Sequence, residues 1–350
     1  MNPSTTHSRK PIASLSIDFD NKWAYLRAAG RTPARSSADE RNADVEPCWE
    51  SCDSYLGVVS ERVVDVLGEF NLPLTAFIVG RDLQNDSDVE AIRYLGSLRE
   101  IEYANHSLNH LPWMHTLTNE EIESEIMTTD RSLRRSLGIR PQGFRGPGFS
   151  CPAEVLSVLI ANNYCYDASV FPTSIAPIAR AVFLARTKLK GEQKEKAKKL
   201  YGGFASMRQP NRPFRRSIES DGLWEIPVTV LPLLRTPIHF SYLTFLAGFS
   251  TLAAKAYFRS ALRLCRITGT APSLLLHPPD FLGHEDDQDM AYFPGMKLAR
   301  QPKLEFVRWA LKLYSDTFDV RTMIRQIERP TAMSELVDAS PVHSTESMPS

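Results

Sequence analysis

The chain has 350 residues with 41 basic and 41 acidic side chains, so its formal charge is zero. Neutrality excludes the basic excess that nucleic-acid binding calls for, and 43% hydrophobic with 23% charged residues is an ordinary soluble globular composition. That length suits one large barrel or two ordinary domains.

Met1 to Lys10 is polar and lacks the apolar core of a signal peptide. No stretch reaches the roughly 18 apolar residues of a membrane span; the richest, Phe240 to Leu264, is broken by Lys255, Arg259 and Arg263. The five cysteines, at 48, 52, 151, 165 and 265, are odd in number and scattered. That usage fits reduced thiols in a cytoplasmic protein better than a disulfide framework.

In chain order, Ile12–Phe19 is a short apolar strand ending in acid. Residues Asn21–Asp53 then form a connection far longer than usual. Tyr55–Phe70 places Leu56, Val59, Val63, Val66, Leu67 and Phe70 at helical spacing. Strands are expected at Leu74–Val79 and Ile101–Asn105, with a helix at Val89–Leu98 between them. Thr118–Leu137 is a helix opened by a capping box, Thr118 to Glu121. Further strands are expected at Gly143–Arg145, Tyr164–Asp167, Trp224–Val230 and Ser273–His277. Helices at Ala153–Ala161, Tyr242–Leu264 and Lys303–Tyr314 fall between or after them. The alternation argues for a parallel α/β sheet or barrel. A long insertion, residues 175–223, holds most of the local basic charge. Residues 1–10 form a flexible tail, and residues 330–350, rich in Ser, Thr and Pro, read as disordered.

The polar residues fall at strand ends. Asp18 and Asp20 close the first strand, and His106 and His110 follow the third. Arg145, Asp167 and His277 each end a later strand. In a parallel barrel those carboxyl ends open onto one face, where active sites form. Two histidines four residues apart lie on one face of a helical turn and can share a metal ion. A carboxylate with two neutral imidazoles is a catalytic ligand set that leaves room for water and a substrate oxygen. His115, His239 and His284 receive no role; the acidic stretch His284–Asp287 reads as a solvated loop.

Together these residues resemble the polysaccharide deacetylases of the NodB homology type, carbohydrate esterase family 4, over roughly Ile12 to Phe318. The resemblance implies a distorted (β/α)7-type barrel, one catalytic domain over residues 11–329 with the basic insertion inside it. Asp18 corresponds to the catalytic base. Asp20 corresponds to a metal ligand in the branch whose first motif is D-x-D; Phe19 stands between the two acids, where an adjacent Asp-Asp pair is more common. His106-Ser107-x-x-His110 matches the metal motif, which makes both histidines ligands. Arg145-Gly-Pro147 matches the motif whose arginine orients the base, and the backbone N–H of Gly148 is the expected oxyanion donor. Asp167 with Phe171 resembles D-x-x-x-W with Phe for Trp. Leu275-x-His277 matches the closing motif, whose histidine is the general acid, and Asp167 is expected to hold its tautomer.

The activity so implied is metal-dependent hydrolysis of an N-acetyl group from a sugar, in a glycan or a lipid- or nucleotide-linked precursor. The cation is expected to be zinc, with cobalt, nickel or iron(II) also compatible. Base and acid are expected on opposite sides of the reacting carbon. Two other classes remain open: hydrolysis of a formyl group or small cyclic amide on the same fold, and a non-catalytic glycan-binding protein. The partner is a carbohydrate and not a nucleic acid. Basic residues of 180–216, among them Arg180, Lys188, Lys198 and Arg216, suggest peripheral contact with anionic membrane at its inner face.

Overall fold

The computed structural model describes residues 10–33, 48–49, 52–176, 207–218 and 221–328. The centre of the sheet is β1 (Ile12–Phe19), an apolar strand buried along nearly its whole length. A strand so covered on both faces belongs inside a parallel sheet. It pairs in parallel with β2 (Leu74–Ile78) on one side and β8 (Ser273–Leu276) on the other. Beyond β2 the sheet continues through β3 (Ile101–Asn105), β4 (Gly143–Phe144) and β5 (Tyr166–Asp167) to β7 (Asp221–Glu225), all in parallel. The segment after β7 spans the remaining gap: the Val228 N–H donates to Val170 O, and the Thr229 N–H to Ser273 O beside β8. The result is the distorted seven-stranded β/α barrel expected from the sequence.

Two strands lie outside that expectation. A hairpin partner, β6 (Phe214–Ile218), runs antiparallel to β7 and forms an edge. A short β9 (Asp319–Arg321) pairs with the first residues of β1. Neither run has enough apolar alternation to stand out as a strand in the sequence.

The helices form as their caps and apolar spacings dictate. In α2 (Leu56–Glu69), Leu56, Val59, Val63, Val66 and Leu67 are buried. It lies behind α3 (Asp86–Tyr94), which the Asn85 side chain caps. The capping box at Thr118 and Glu121 is present at the start of α4 (Asn119–Leu137), which ends at Gly138 in the left-handed conformation. Helix α5 (Ala153–Ala161) follows its expected span. Helix α8 (Arg300–Thr317) runs three residues beyond the expected span at each end, and α9 (Met323–Glu328) closes the described chain.

Two helical expectations are corrected. The connection expected over Asn21–Asp53 begins with α1 (Lys22–Ala28), because Asn21 caps the Lys22 N–H at 2.8 Å and Trp23, Ala24 and Leu26 become buried. The single helix expected over Tyr242–Leu264 is two, α6 (Phe240–Ala247) and α7 (Thr251–Ile267). Ser250 breaks the run by accepting the Ala253 N–H, so it starts a new helix instead of continuing the old one. Most of the insertion expected at 175–223, and nearly all of both terminal tails, lie outside the described residues.

Close packing near the barrel floor sets one stringent demand. A Cβ on Gly143 would run into the Tyr166 ring, which is itself fully buried. Gly143→Ala is therefore expected to lose about 1–3 kcal/mol of stability through overpacking. Guanidinium denaturation checks this: a lower midpoint with an unchanged slope is the expected result.

Candidate metal centre and catalytic cleft

Alternation along β1 puts Asp18 and Asp20 on the same side, while Phe19 between them enters the core. The D-x-D spacing thus delivers two carboxyls to one face. Both are buried. Asp20 Oδ1 lies 3.3 Å from His106 Nε2 and 3.3 Å from His110 Nε2. Burial alone pushes the Asp20 carboxyl up, but the His110 and His106 charges beside it outweigh this and hold it well below the usual value. His106 responds in the opposite sense: burial lowers its imidazole, and Asp18 and Asp20 more than offset this, leaving it raised.

The two histidines reach Asp20 from a loop, not from the helical turn expected of their spacing. Ser107 and His110 both have positive φ, 62° and 50°. The N–H groups a helical turn would use are taken elsewhere. Asn105 Oδ1 accepts the Ser107 N–H at 2.9 Å, and Glu125 Oε2 on α4 accepts those of Leu108 and Asn109 at 3.0 and 2.8 Å. Glu125 carries no motif. The only hint of its role in the sequence is a carboxylate on an otherwise buried face of α4.

Arg145 is completely buried and joins the cleft's parts. Its Nη1 donates to Asp18 Oδ1 at 2.5 Å and to Ser16 Oγ at 3.2 Å, and its Nε donates to Ala168 O at 2.9 Å. Its guanidinium carbon lies 4.1 Å from the centre of the Phe77 ring. The carbonyl of Arg145 is 2.7 Å from His106 Nδ1. A carbonyl can only accept, so that nitrogen carries the proton and Nε2 presents its lone pair toward Asp20.

His277 sits 3.8 Å from Asp18, measured Nε2 to Oδ2. These two residues, expected on opposite sides of the reacting carbon, are thus direct neighbours, since β8 pairs with β1 in the sheet. The expected Asp167–His277 contact is also absent among the described residues. Instead Ser241 Oγ lies 3.0 Å from His277 Nδ1 and donates toward Asp280 Oδ2 at 3.4 Å, while the His277 N–H donates to that same oxygen at 2.8 Å. Asp167 accepts from Ser169 Oγ at 2.5 Å, and Ser169 Oγ accepts the Gly146 N–H at 2.8 Å. It therefore steadies the loop containing Gly148, whose φ is 59°. Neither Ser241 nor Asp280 was legible as a partner of His277. His239 packs beside them, its ring 6.3 Å from His277 and 5.5 Å from Phe171. Burial, followed by the His277 charge, pushes its imidazole down to about 3, so it is neutral.

The Asp20, His106 and His110 donor atoms lie within 4.8 Å of one another. Asp20 Oδ1 is buried without a hydrogen-bond partner, as suits an atom that would ligate a cation. One carboxylate and two imidazoles fit a divalent cation. The acidic stretch at 284–287 is engaged otherwise: Asp286 pairs with Arg62 at 2.8 Å and Asp287 with Lys22 at 3.0 Å.

Residues 49–166 match the polysaccharide deacetylase family model. Chitin deacetylase 1 of Cryptococcus neoformans var. grubii is 32% identical over 113 residues, 31% of this chain. The chain spans only 23% of that relative's length. Among solved structures, a polysaccharide deacetylase-like protein from Mycobacterium smegmatis superposes with a TM-score of 0.54 at 16% identity, covering 93% of this chain and 98% of its own. The PuuE allantoinase superposes with a TM-score of 0.51 at 13% identity, covering 90% and 88%. At such identities the two structures speak for the fold alone.

His106→Ala is expected to lose tight binding of a divalent cation, whereas Glu125→Gln, one step removed, should weaken it about 10–100-fold. Elemental analysis and titration with zinc check both. Full retention of metal by His106→Ala would remove His106 from the ligand set.

Proposed function

We propose that the chain is a member of the polysaccharide deacetylase family and, within it, a metal-dependent hydrolase removing the acetyl group from the nitrogen of a sugar. The observation that carries this reading is the adjacency of two groups. Asp20 Oδ1 stands between two imidazole nitrogens at 3.3 Å, and Asp18 Oδ2 stands 3.8 Å from His277 Nε2. A binding protein needs neither a ligand triad nor an acid–base pair beside it.

Asp20, His106 and His110 would hold the cation, with zinc as the first choice and cobalt, nickel or iron(II) compatible with the same donors. Bound there, it would polarise the amide carbonyl and lower the pKa of a water molecule toward about 7. The other steps fall to the chain's own groups. Arg145 occupies Asp18 Oδ1, which leaves Oδ2 to take a proton from the attacking water. The same ion pair fixes the carboxyl plane, so the base needs no reorientation as the reaction proceeds. The N–H of Gly148, on the loop steadied through Ser169, is the backbone donor for the oxyanion.

His277 then hands a proton to the departing nitrogen, which would otherwise leave as a very unfavourable anion. Ser241 and Asp280 set the ring's orientation, the part first assigned to Asp167. Because Asp18 and His277 stand side by side, both protons move on the same flank of the scissile bond. Phe149 and Phe171, with ring centres 4.8 Å apart, give that flank an apolar wall.

The test is acetate release from N-acetylated oligosaccharides, sugar nucleotides and lipid-linked sugars by the metal-loaded protein. Asp18→Asn is expected to keep the cation and lose about 10²–10⁴-fold in kcat. Unchanged turnover in that variant would remove Asp18 from the reaction. Hydrolysis of a formamide or a cyclic amide without any acetate release would move the protein to the second enzymatic class.

A further inference from the structure

Residues 226–279 contain no aspartate or glutamate, in a chain that has 41 of them, yet carry Arg235, Lys255, Arg259, Arg263 and Arg266. The stretch includes α6, α7 and the loop 231–236 that precedes them. On α7 the buried side is Ala254, Phe258, Ala261, Leu262 and Cys265. Leu252, Arg259, Arg263 and Arg266 are all exposed. Separations of seven, eleven and fourteen residues from Leu252 put all four on one helical face. That face is basic, with an apolar residue at its start.

The same stretch holds most of the large apolar side chains that the described residues leave in water. Leu233 is 85% exposed, Leu234 67%, Phe249 79% and Leu252 76%. Leu233 is held at a φ of 72°, a left-handed conformation that is costly for a side chain larger than glycine. The loop is nonetheless well fixed: Leu231 and Thr236 are joined by a backbone hydrogen bond of 2.7 Å, and Arg235 donates to Leu231 O at 2.8 Å. A firmly held loop that turns two leucines outward at a conformational cost marks a surface with a use. It is tied to α7 through Tyr257, whose hydroxyl donates to Pro237 O at 2.8 Å and lies 2.7 Å from Thr236 Oγ1. Tyr257 in turn packs on Tyr242 of α6, and Phe249 on Phe245.

We propose that loop 231–236, the turn between α6 and α7, and the exposed face of α7 form a docking surface for a bilayer containing anionic lipid. The leucines and Phe249 enter the boundary between headgroups and acyl chains, and the arginines meet the phosphates. Either contact alone is weak, and together they suffice for a reversible peripheral attachment. A second copy of the chain is a poorer occupant. A two-fold interface on this surface would bring two basic faces together with no acid from the same stretch to neutralise them. No helix among the described residues is long and apolar enough to cross a membrane, so the contact is one of the surface only. His239, which starts α6, stands 6.3 Å from His277. The docking surface therefore adjoins the cleft, and on the function proposed above it would bring the cleft to sugars carried by lipids; the lipid contact itself does not depend on that reading.

The experiment is sedimentation of the full chain with sucrose-loaded vesicles, of phosphatidylcholine alone or mixed with phosphatidylglycerol. The parent is expected to pellet with the mixed vesicles and to be released by high salt. Two variants separate the contributions: Leu233→Ser with Phe249→Ser, and Arg259→Glu with Arg263→Glu. Each basic residue is worth about fivefold in partitioning, so the charge variant, which loses two, should fall by at least about 25-fold, and the apolar variant should also release. All four positions are exposed, and unchanged circular dichroism and denaturation midpoints will show that the fold is intact. Failure of the parent to bind mixed vesicles would overturn the proposal. So would binding that neither variant alters, or a dimer that the same substitutions dissolve without any vesicle binding.

Discussion

A guanidinium with no exposed surface dominates the electrostatics of this barrel. Arg145 cannot be neutralised by losing its proton, so everything around it must answer its charge. Asp18 does so directly at 2.5 Å, and Ser16, Ala168 and the face of Phe77 take the remaining directions. Breaking one partner from such a buried pair typically costs about 3–5 kcal/mol. The pair also ties β1 to the end of β4 across the barrel interior, while the Arg145 carbonyl fixes His106 on β3. One residue thereby holds the Asp18 carboxyl, the His106 tautomer and the spacing between three strands.

The remaining organisation follows from the direction of the sheet. Because the seven principal strands are parallel, the polar residues that end several of them gather at the same rim. Strand β1 contributes two, since alternation sends Asp18 and Asp20 to one side and Phe19 to the other. Its neighbours determine which groups those carboxyls can reach. Strand β8 brings His277 to Asp18, and the loop after β3 brings His106 and His110 to Asp20. Asp18 and His277 stand side by side because the first strand and the last principal strand are neighbours in the sheet.

What the sequence revealed and what it hid divide along physical lines. Continuous apolar runs such as Leu74–Ile78, and helices with both caps such as Asn119–Leu137, have local causes and were legible nearly to the residue. The polar strand ends were legible because five separate strands each finished on an ionisable group. Positions set by tertiary contacts were not. The histidine loop departs from a helical turn because Glu125, on the following helix, captures the N–H groups of Leu108 and Asn109. Ser241 and Asp280 reach His277 only once α6 and the turn after β8 are packed together. The β6 edge went unseen for a related reason: its residues make sense as a strand only against β7.

That edge strand bears on the cleft more than its position in an insertion suggests. Asp167 and Glu225 are register partners on β5 and β7 and are both fully buried. Two carboxylates so placed resist ionising together. Burial first, and the Asp167 charge second, push Glu225 well above the usual carboxylate value. Arg216 on β6 enters from the side, 3.4 Å from Glu225 and 4.0 Å from Asp167, and supplies the compensating charge. Asp167 can then accept from Ser169, which in turn accepts the Gly146 N–H and steadies the loop carrying Gly148. Glu225 likewise receives the Val170 N–H at 2.9 Å, at the point where the chain passes toward Phe171 and the apolar wall. The antiparallel hairpin thus contributes the cation that lets two inward carboxyls brace the cleft's backbone. The same residues that end the insertion help decide how firmly the loop opposite Asp18 is held.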